Sequence, residues 1–148
     1  MVSARTKAAF RATRETVGMT QHALARELGV EVRSVKRWES AAYPGYGAPQ
    51  DAWDVLDAAL AAQRRAVSFA LGKVDEVAQG RGGYPNRVTL PYWTSQADYD
   101  AGHVPADGGD WRMANANSRL VAFALHERGI PVEWADGATV PPEAARLG

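Results

Sequence analysis

The sequence predicts a mainly α protein, α+β overall: an N-terminal helical domain, a connecting helix, and a small C-terminal domain of one or two strands around a buried helix. Three observations carry this. Apolar residues recur at helical spacing over most of the 148 positions. Glycines at Gly18, Gly29 and Gly129 punctuate those runs. Period-two alternation marks two short stretches, Arg87 to Trp93 and Ile130 to Trp134. The expected segments are 1–47, a connecting helix over 48–80, a C-terminal α+β domain over 84–136 that forms a dimer, and a frayed tail over 137–148.

From about Ser3 to Val17, Ala8, Ala9, Phe10, Ala12 and Val17 lie among Lys and Arg, which predicts a first helix ended by Gly18. Lys7, Arg11 and Arg14 repeat at helical spacing and share one face. Thr20 to Glu39 then divides into two short helices around one tight turn. Leu24, Ala25 and Leu28 give the first an apolar stripe, and Thr20 stands where an N-cap hydroxyl accepts from an unpaired first-turn amide. Gly29 stops that helix. Val30 is expected to tuck inward, and Val35 and Trp38 to line the inner face of the second helix. Glu31, Arg33, Ser34, Lys36 and Arg37 are left outward. A small Ala25, a turn glycine and an inward Val35 suit two helices packed at a steep angle.

After Glu39, Pro44, Gly45, Gly47 and Pro49 mark a loop. Pro49 suits a first helical turn, and Trp53, Leu56, Leu60, Val67, Leu71, Val74 and Ala78 continue a long stripe in which Gly72 is the point of bending or division. Gly80 to Gly83 is the clearest boundary. Val88, Leu90 and Tyr92 then share one face of a strand, and Pro91, unable to donate to a ladder, places at least one side of it at an edge. A short helix is expected from Ser95 to about Ala101. His103, Asp107 and Asp110 follow on a Gly/Pro-rich loop with no regular face to aim ligands, so no metal site, cofactor or catalytic site is expected there. Asp110 is placed to N-cap a helix from Trp111 to Arg128. That helix is apolar so far round that burial on two sides, one of them a subunit interface, is expected.

Composition bounds the function. There are no cysteines, which excludes disulfides and thiolate metal sites. No apolar run reaches membrane-span length and no signal-peptide pattern opens the chain, so a soluble cytoplasmic protein without a membrane partner is expected. Formal charge is zero, but residues 1–40 carry eight Lys/Arg against four Glu, so the remainder is acidic by the same margin. Affinity for phosphate follows local basic charge, through counterion release.

Met19-Thr20-Gln21, Ala23-Leu24-Ala25, Leu28-Gly29-Val30, Val35 and Trp38-Glu39 together resemble the lambda-repressor-like (Xre/Cro-type) helix-turn-helix DNA-binding domain. More weakly, the whole chain is similar to the YdiL-like and anti-CRISPR-associated dimeric repressors, through Val88 to Trp93, Asp110-Trp111-Arg112 and Ser118 to Leu125. The loop Gly102 to Gly109 and the tail after Asp136 depart from that pattern. The resemblance implies a sequence-specific regulator, bacterial or phage-encoded, that represses its own operon as a homodimer on a palindromic duplex DNA site. It implies base contacts from Val32, Arg33, Lys36 and Arg37, since arginine donates in pairs to guanine and valine packs on a thymine methyl. Phosphate contacts are expected from Thr20, Gln21, Ser34, Arg11, Arg14, Tyr43 and Tyr46. A dimer interface is expected from Val88, Leu90, Tyr92, Trp111, Leu120 and Phe123. The alternative is an antitoxin-like regulator whose C-terminal domain binds another protein; RNA is a further partner left open.

Overall fold

The computed structural model describes residues 5–102 and 110–137. It is mainly helical, with six helices and a two-stranded parallel sheet among those residues. In chain order these are α1 (Lys7–Val17), α2 (Gln21–Leu28), α3 (Val32–Glu39), α4 (Gln50–Arg81), β1 (Val88–Tyr92), α5 (Gln96–Gly102), α6 (Trp111–Glu127) and β2 (Val132–Asp136). The chain divides within α4 into two compact units, 1–61 and 62–148. Among the described residues, no helix is long and apolar enough to cross a membrane.

In the first unit, helix ends follow local chemistry. Thr6 Oγ1 accepts from Ala9 N at 3.0 Å, so α1 starts at Lys7 rather than near Ser3, since the capping hydroxyl sets the first turn. Gly18, at φ 80°, closes it in the left-handed conformation that a side chain disfavours. Thr20 caps α2 in the same way, through Ala23 N at 3.0 Å, and Gly29 ends it at φ 67°. The return bond from Val30 N to Ala25 O, 2.9 Å, completes the turn. Val30 itself is 37% exposed, against the expectation that it tucks inward. The closure uses its backbone, and Val35, fully buried four residues into α3, supplies the inward side chain. Phe10, Val17, Leu24, Val35, Trp53 and Leu56 are buried, with Phe10 edge-on to Trp38 at 6.1 Å and to Trp53 at 5.1 Å. Such edge-to-face pairs add to the stabilisation that burial of the rings supplies.

In the second unit, α4 runs through Gly72 without interruption. Ala70 and Val74 of α4 join Val88 and Leu90 of β1, Val121, Ala122 and Leu125 of α6, and Ile130 in one apolar core. β1 pairs in parallel with β2, Val88 opposite Val132 and Tyr92 opposite Asp136. A parallel pair needs a crossover, and α5 and α6 lie in it. Pro91 sits on a strand that has one strand neighbour among the described residues, where its missing N–H is tolerated.

A second cluster gathers Trp93, Tyr99 and Ala114, with Trp93 and Tyr99 edge-on at 5.5 Å. Asn115, buried on α6, donates to Trp93 O at 2.9 Å and accepts from Trp93 N at 2.8 Å. Its carboxamide thus pairs with the backbone just past the end of β1. Gly137 packs so closely that a Cβ there would lie 2.1 Å from the Trp93 ring. Asp110 caps α6 as expected, accepting from Arg112 N and Met113 N. The first half of α6 is buried all round, from Ala114 to Ser118.

Candidate nucleic-acid interface

The candidate face belongs to the first unit and is built outward from α3. Burial of Val35 and the contact of Trp38 with Phe10 turn one side of α3 inward. Helical geometry then places Arg33, Lys36 and Arg37 on the opposite side, with Val32, one turn before Val35, at its margin. Arg33 and Lys36 are exposed and make no ion pair among the described residues, while Val32 is half-buried. Two strongly solvated donors are thus presented beside one apolar side chain.

Arg37 is held differently. Its guanidinium lies 5.5 Å from the Tyr43 ring centre and 5.4 Å from that of Tyr46, and the two rings meet edge-on at 5.9 Å. Cation–π attraction favours this placement. Both tyrosines remain exposed, so their hydroxyls stay free to reach a phosphate. The arginine and the two tyrosines form a single cationic aromatic cluster at one end of the face.

The basic residues of α1 separate into three fates. Arg14 is buried and bidentate on Glu39, at 2.7 and 2.8 Å, with a third bond to Met19 O. Its expected phosphate contact is therefore corrected: the guanidinium is consumed inside the fold, locking α1 to the end of α3. Lys7 donates to Arg37 O and Trp38 O, carbonyls of the last turn of α3, and to Tyr46 O of the loop. Arg11 is exposed and paired with Glu15 at 2.8 Å. That hydrogen bond raises the Arg11 pKa above its ordinary value and lowers that of Glu15.

Gln21 was expected to clamp phosphate with its side chain, but its Nε2 donates to Glu39 at 3.3 Å. What α2 still offers is its first-turn backbone, since the amides of Gln21 and His22 have no partner one turn back. Thr20 and Gln21 line a shallow concavity with Arg11, His22, Lys36 and Ser40. Its floor holds the Arg14–Glu39 pair, and its rim carries the exposed cations. Ser34 is half-buried on α3.

No family model and no curated protein matches the chain. The face combines anchoring at the C-terminal end of α3, two cations without an ion pair among the described residues, and helix amides beside them.

The six residues expected at a dimer interface divide by exposure. Val88 and Leu90 are consumed by the core of the second unit, leaving a second copy nothing of them to contact. Trp111 is half-buried against Trp93 and Tyr99. Tyr92, Leu120 and Phe123 are exposed, Phe123 by 67%. Trp134, exposed by 45% and edge-on to Tyr92 at 5.5 Å, was not expected in that group. Its signal was faint, because the parallel pairing that sets it beside Tyr92 depends on a crossover of two helices. His103 and Asp107 lie outside the described residues.

Proposed function

We propose that the first unit binds duplex DNA in a sequence-specific manner, and that the chain is a transcriptional regulator, a repressor acting as a homodimer on an inverted repeat. The single observation behind this is the outward face of α3. It presents Arg33, Lys36 and Arg37 beside Val32, while Val35, Trp38, Glu39 and two α3 carbonyls are all engaged behind it. An α-helix fits the major groove, where an arginine reads guanine with paired donors and an apolar side chain meets thymine methyls. The amides at the start of α2 and the hydroxyls of Tyr43 and Tyr46 supply backbone contacts that fix register. The resemblance to lambda-repressor-like domains supports the same reading. Repression follows from exclusion of polymerase from the site, in the cytoplasm of a bacterium that carries the gene itself or on a phage.

Selection from a randomised duplex pool, followed by sequencing, tests this. The expected result is a G·C-containing inverted repeat. Arg33→Ala and Arg37→Ala should each weaken binding by about 1–3 kcal/mol and relax one half-site position. Retention of no particular sequence, or an unchanged profile in both variants, overturns the assignment. A second reading, a regulator whose C-terminal unit binds another protein, is favoured by the exposed aromatic side chains of that unit. It predicts a chain that remains monomeric until its partner is supplied.

A further inference from the structure

The exposed apolar side chains of the second unit are not scattered. Trp134 of β2 meets Tyr92 of β1 edge-on at 5.5 Å, and the Tyr92 hydroxyl accepts from Arg119 of α6 at 2.7 Å. Leu120 adjoins Arg119, and Phe123 lies one turn further along the same helix. Four apolar side chains with exposures of 45% (Trp134), 38% (Tyr92), 38% (Leu120) and 67% (Phe123) are therefore gathered around Arg119. Isolated exposed apolar residues need no explanation, whereas a contiguous patch marks an interaction surface.

The charges on α6 say what covers it. Arg119 stands four residues before Phe123 and Glu127 four residues after it. Both are exposed, and Glu127 has no ion pair among the described residues. Positions four apart lie along one helical row about 6 Å apart in rise. A row reading cation, phenylalanine, anion is complementary to itself when reversed. We propose that this face receives a second copy of the chain, with two α6 helices crossing antiparallel at Phe123. Arg119 of each copy then faces Glu127 of the other, and the two Phe123 rings meet near the axis. This is an isologous two-fold contact, in which every interaction occurs twice. Tyr92 and Trp134 flank it, and the Arg119 guanidinium has donors left after its bond to Tyr92. The inference rests on the dimer of the proposed regulator and supplies the surface that makes it.

Sedimentation equilibrium of the full chain, without DNA, is the test. The wild type should sediment as a dimer. Phe123→Ser, at an exposed position that the fold tolerates, should weaken self-association at least about ten-fold, as loss of a central anchor does. Arg119→Glu should also weaken it, because each copy then sets like charges opposite one another. The double variant R119E/E127R should restore it. Within one chain residues 119 and 127 lie two turns apart, so recovery reports a contact between copies. A monomeric wild type, an Arg119→Glu variant that dimerises as well as wild type, or a double variant no better than the single one overturns the proposal. A monomer that pairs through Phe123 with a different protein does so as well. As no DNA is present, any of these outcomes removes this face while operator selection judges the DNA-binding reading separately.

Discussion

The two units solve the same problem, holding short elements together, with different chemistry. In the first unit, charged side chains reach across long sequence separations: Arg14 to Glu39, and Lys7 to the carbonyls of Arg37 and Trp38. In the second, apolar side chains from α4, β1 and α6 interlock, the buried polar tie is a neutral carboxamide, Asn115 on the Trp93 backbone, and the charged pair Arg128–Asp75, at 2.8 Å, stays partly exposed. Their surfaces differ in the same sense. Of the ten exposed large apolar side chains among the described residues, seven belong to the second unit and three, Val30, Tyr43 and Tyr46, to the first. The unit that orders itself with buried charge presents cations on the outward face of α3, and the unit that orders itself with apolar packing leaves apolar surface outside. The contrast is what the proposed reading calls for, in which the first unit meets a polyanion and the second a protein surface.

Breaking the charged tie should have the largest effect. Glu39→Ala leaves the buried Arg14 guanidinium without its carboxylate, and removal of one member of a buried pair costs about 3–5 kcal/mol. Chemical denaturation should show the loss, and the double variant Arg14→Met/Glu39→Leu should recover much of it. If Glu39→Ala unfolds at the wild-type midpoint, the pair does not organise the first unit.

The corresponding probe of the second unit is Asn115→Leu. It leaves both polar groups of the Trp93 backbone without their partner in a buried site, at a cost of about 1–3 kcal/mol for such a group. With neutral groups at the low end of that range for each bond, the effect should reach about 2 kcal/mol, below that of Glu39→Ala, which strands a charge. Amide exchange at Trp93 should accelerate in the variant, and an unaltered exchange rate would remove Asn115 as the tie.

Very little of this separation could be seen in the chain beforehand, for a definite reason. Helix punctuation was legible because it is local: Thr20 to Ala23, Gly29, and Asp110 to Met113 span three residues or fewer. The two strands were legible by their alternation and α4 by its stripe, although that stripe marked Gly72 as a point of bending or division and the helix continues through it. The destinations of the long side chains were not. Lys7, Arg11 and Arg14 look alike on one helical face, yet one caps α3, one pairs with Glu15 in solvent and one is buried. Only the packing of α1 against α3, twenty-five residues away for Arg14 and Glu39, distinguishes them. Likewise Val88 and Leu90 share the alternation of Tyr92, and only the closure of α4 and α6 over them decides which residues are covered.

The smallest effect concerns the exposed pair Arg11–Glu15 and gives the contrast its control. The hydrogen bond from Arg11 holds the Glu15 carboxyl below its ordinary pKa. A depressed carboxylate stabilises the fold above its unfolded pKa and loses that contribution as pH falls through the folded value. For a pair in solvent the change in stability should be slight. NMR titration should place the Glu15 midpoint below that of an ordinary glutamate, and Arg11→Ala should return it upward. A midpoint indifferent to residue 11 would refute the pairing.

Lys7 gives the first unit a property that its ion pairs do not. Its one ammonium group is bonded to two carbonyls at the end of α3 and to a third, Tyr46 O, in the loop that follows. The same loop residue holds Arg37 from its other side. Helix terminus, loop and outward arginine therefore share one fastening, and they open as one cooperative unit instead of fraying residue by residue. A helix end normally exchanges its amides early; here the fastening ties the last turn of α3 to the opening of α1. The outward face of α3, proposed above to meet DNA, is in this way kept in register by a residue of α1 that lies outside that face.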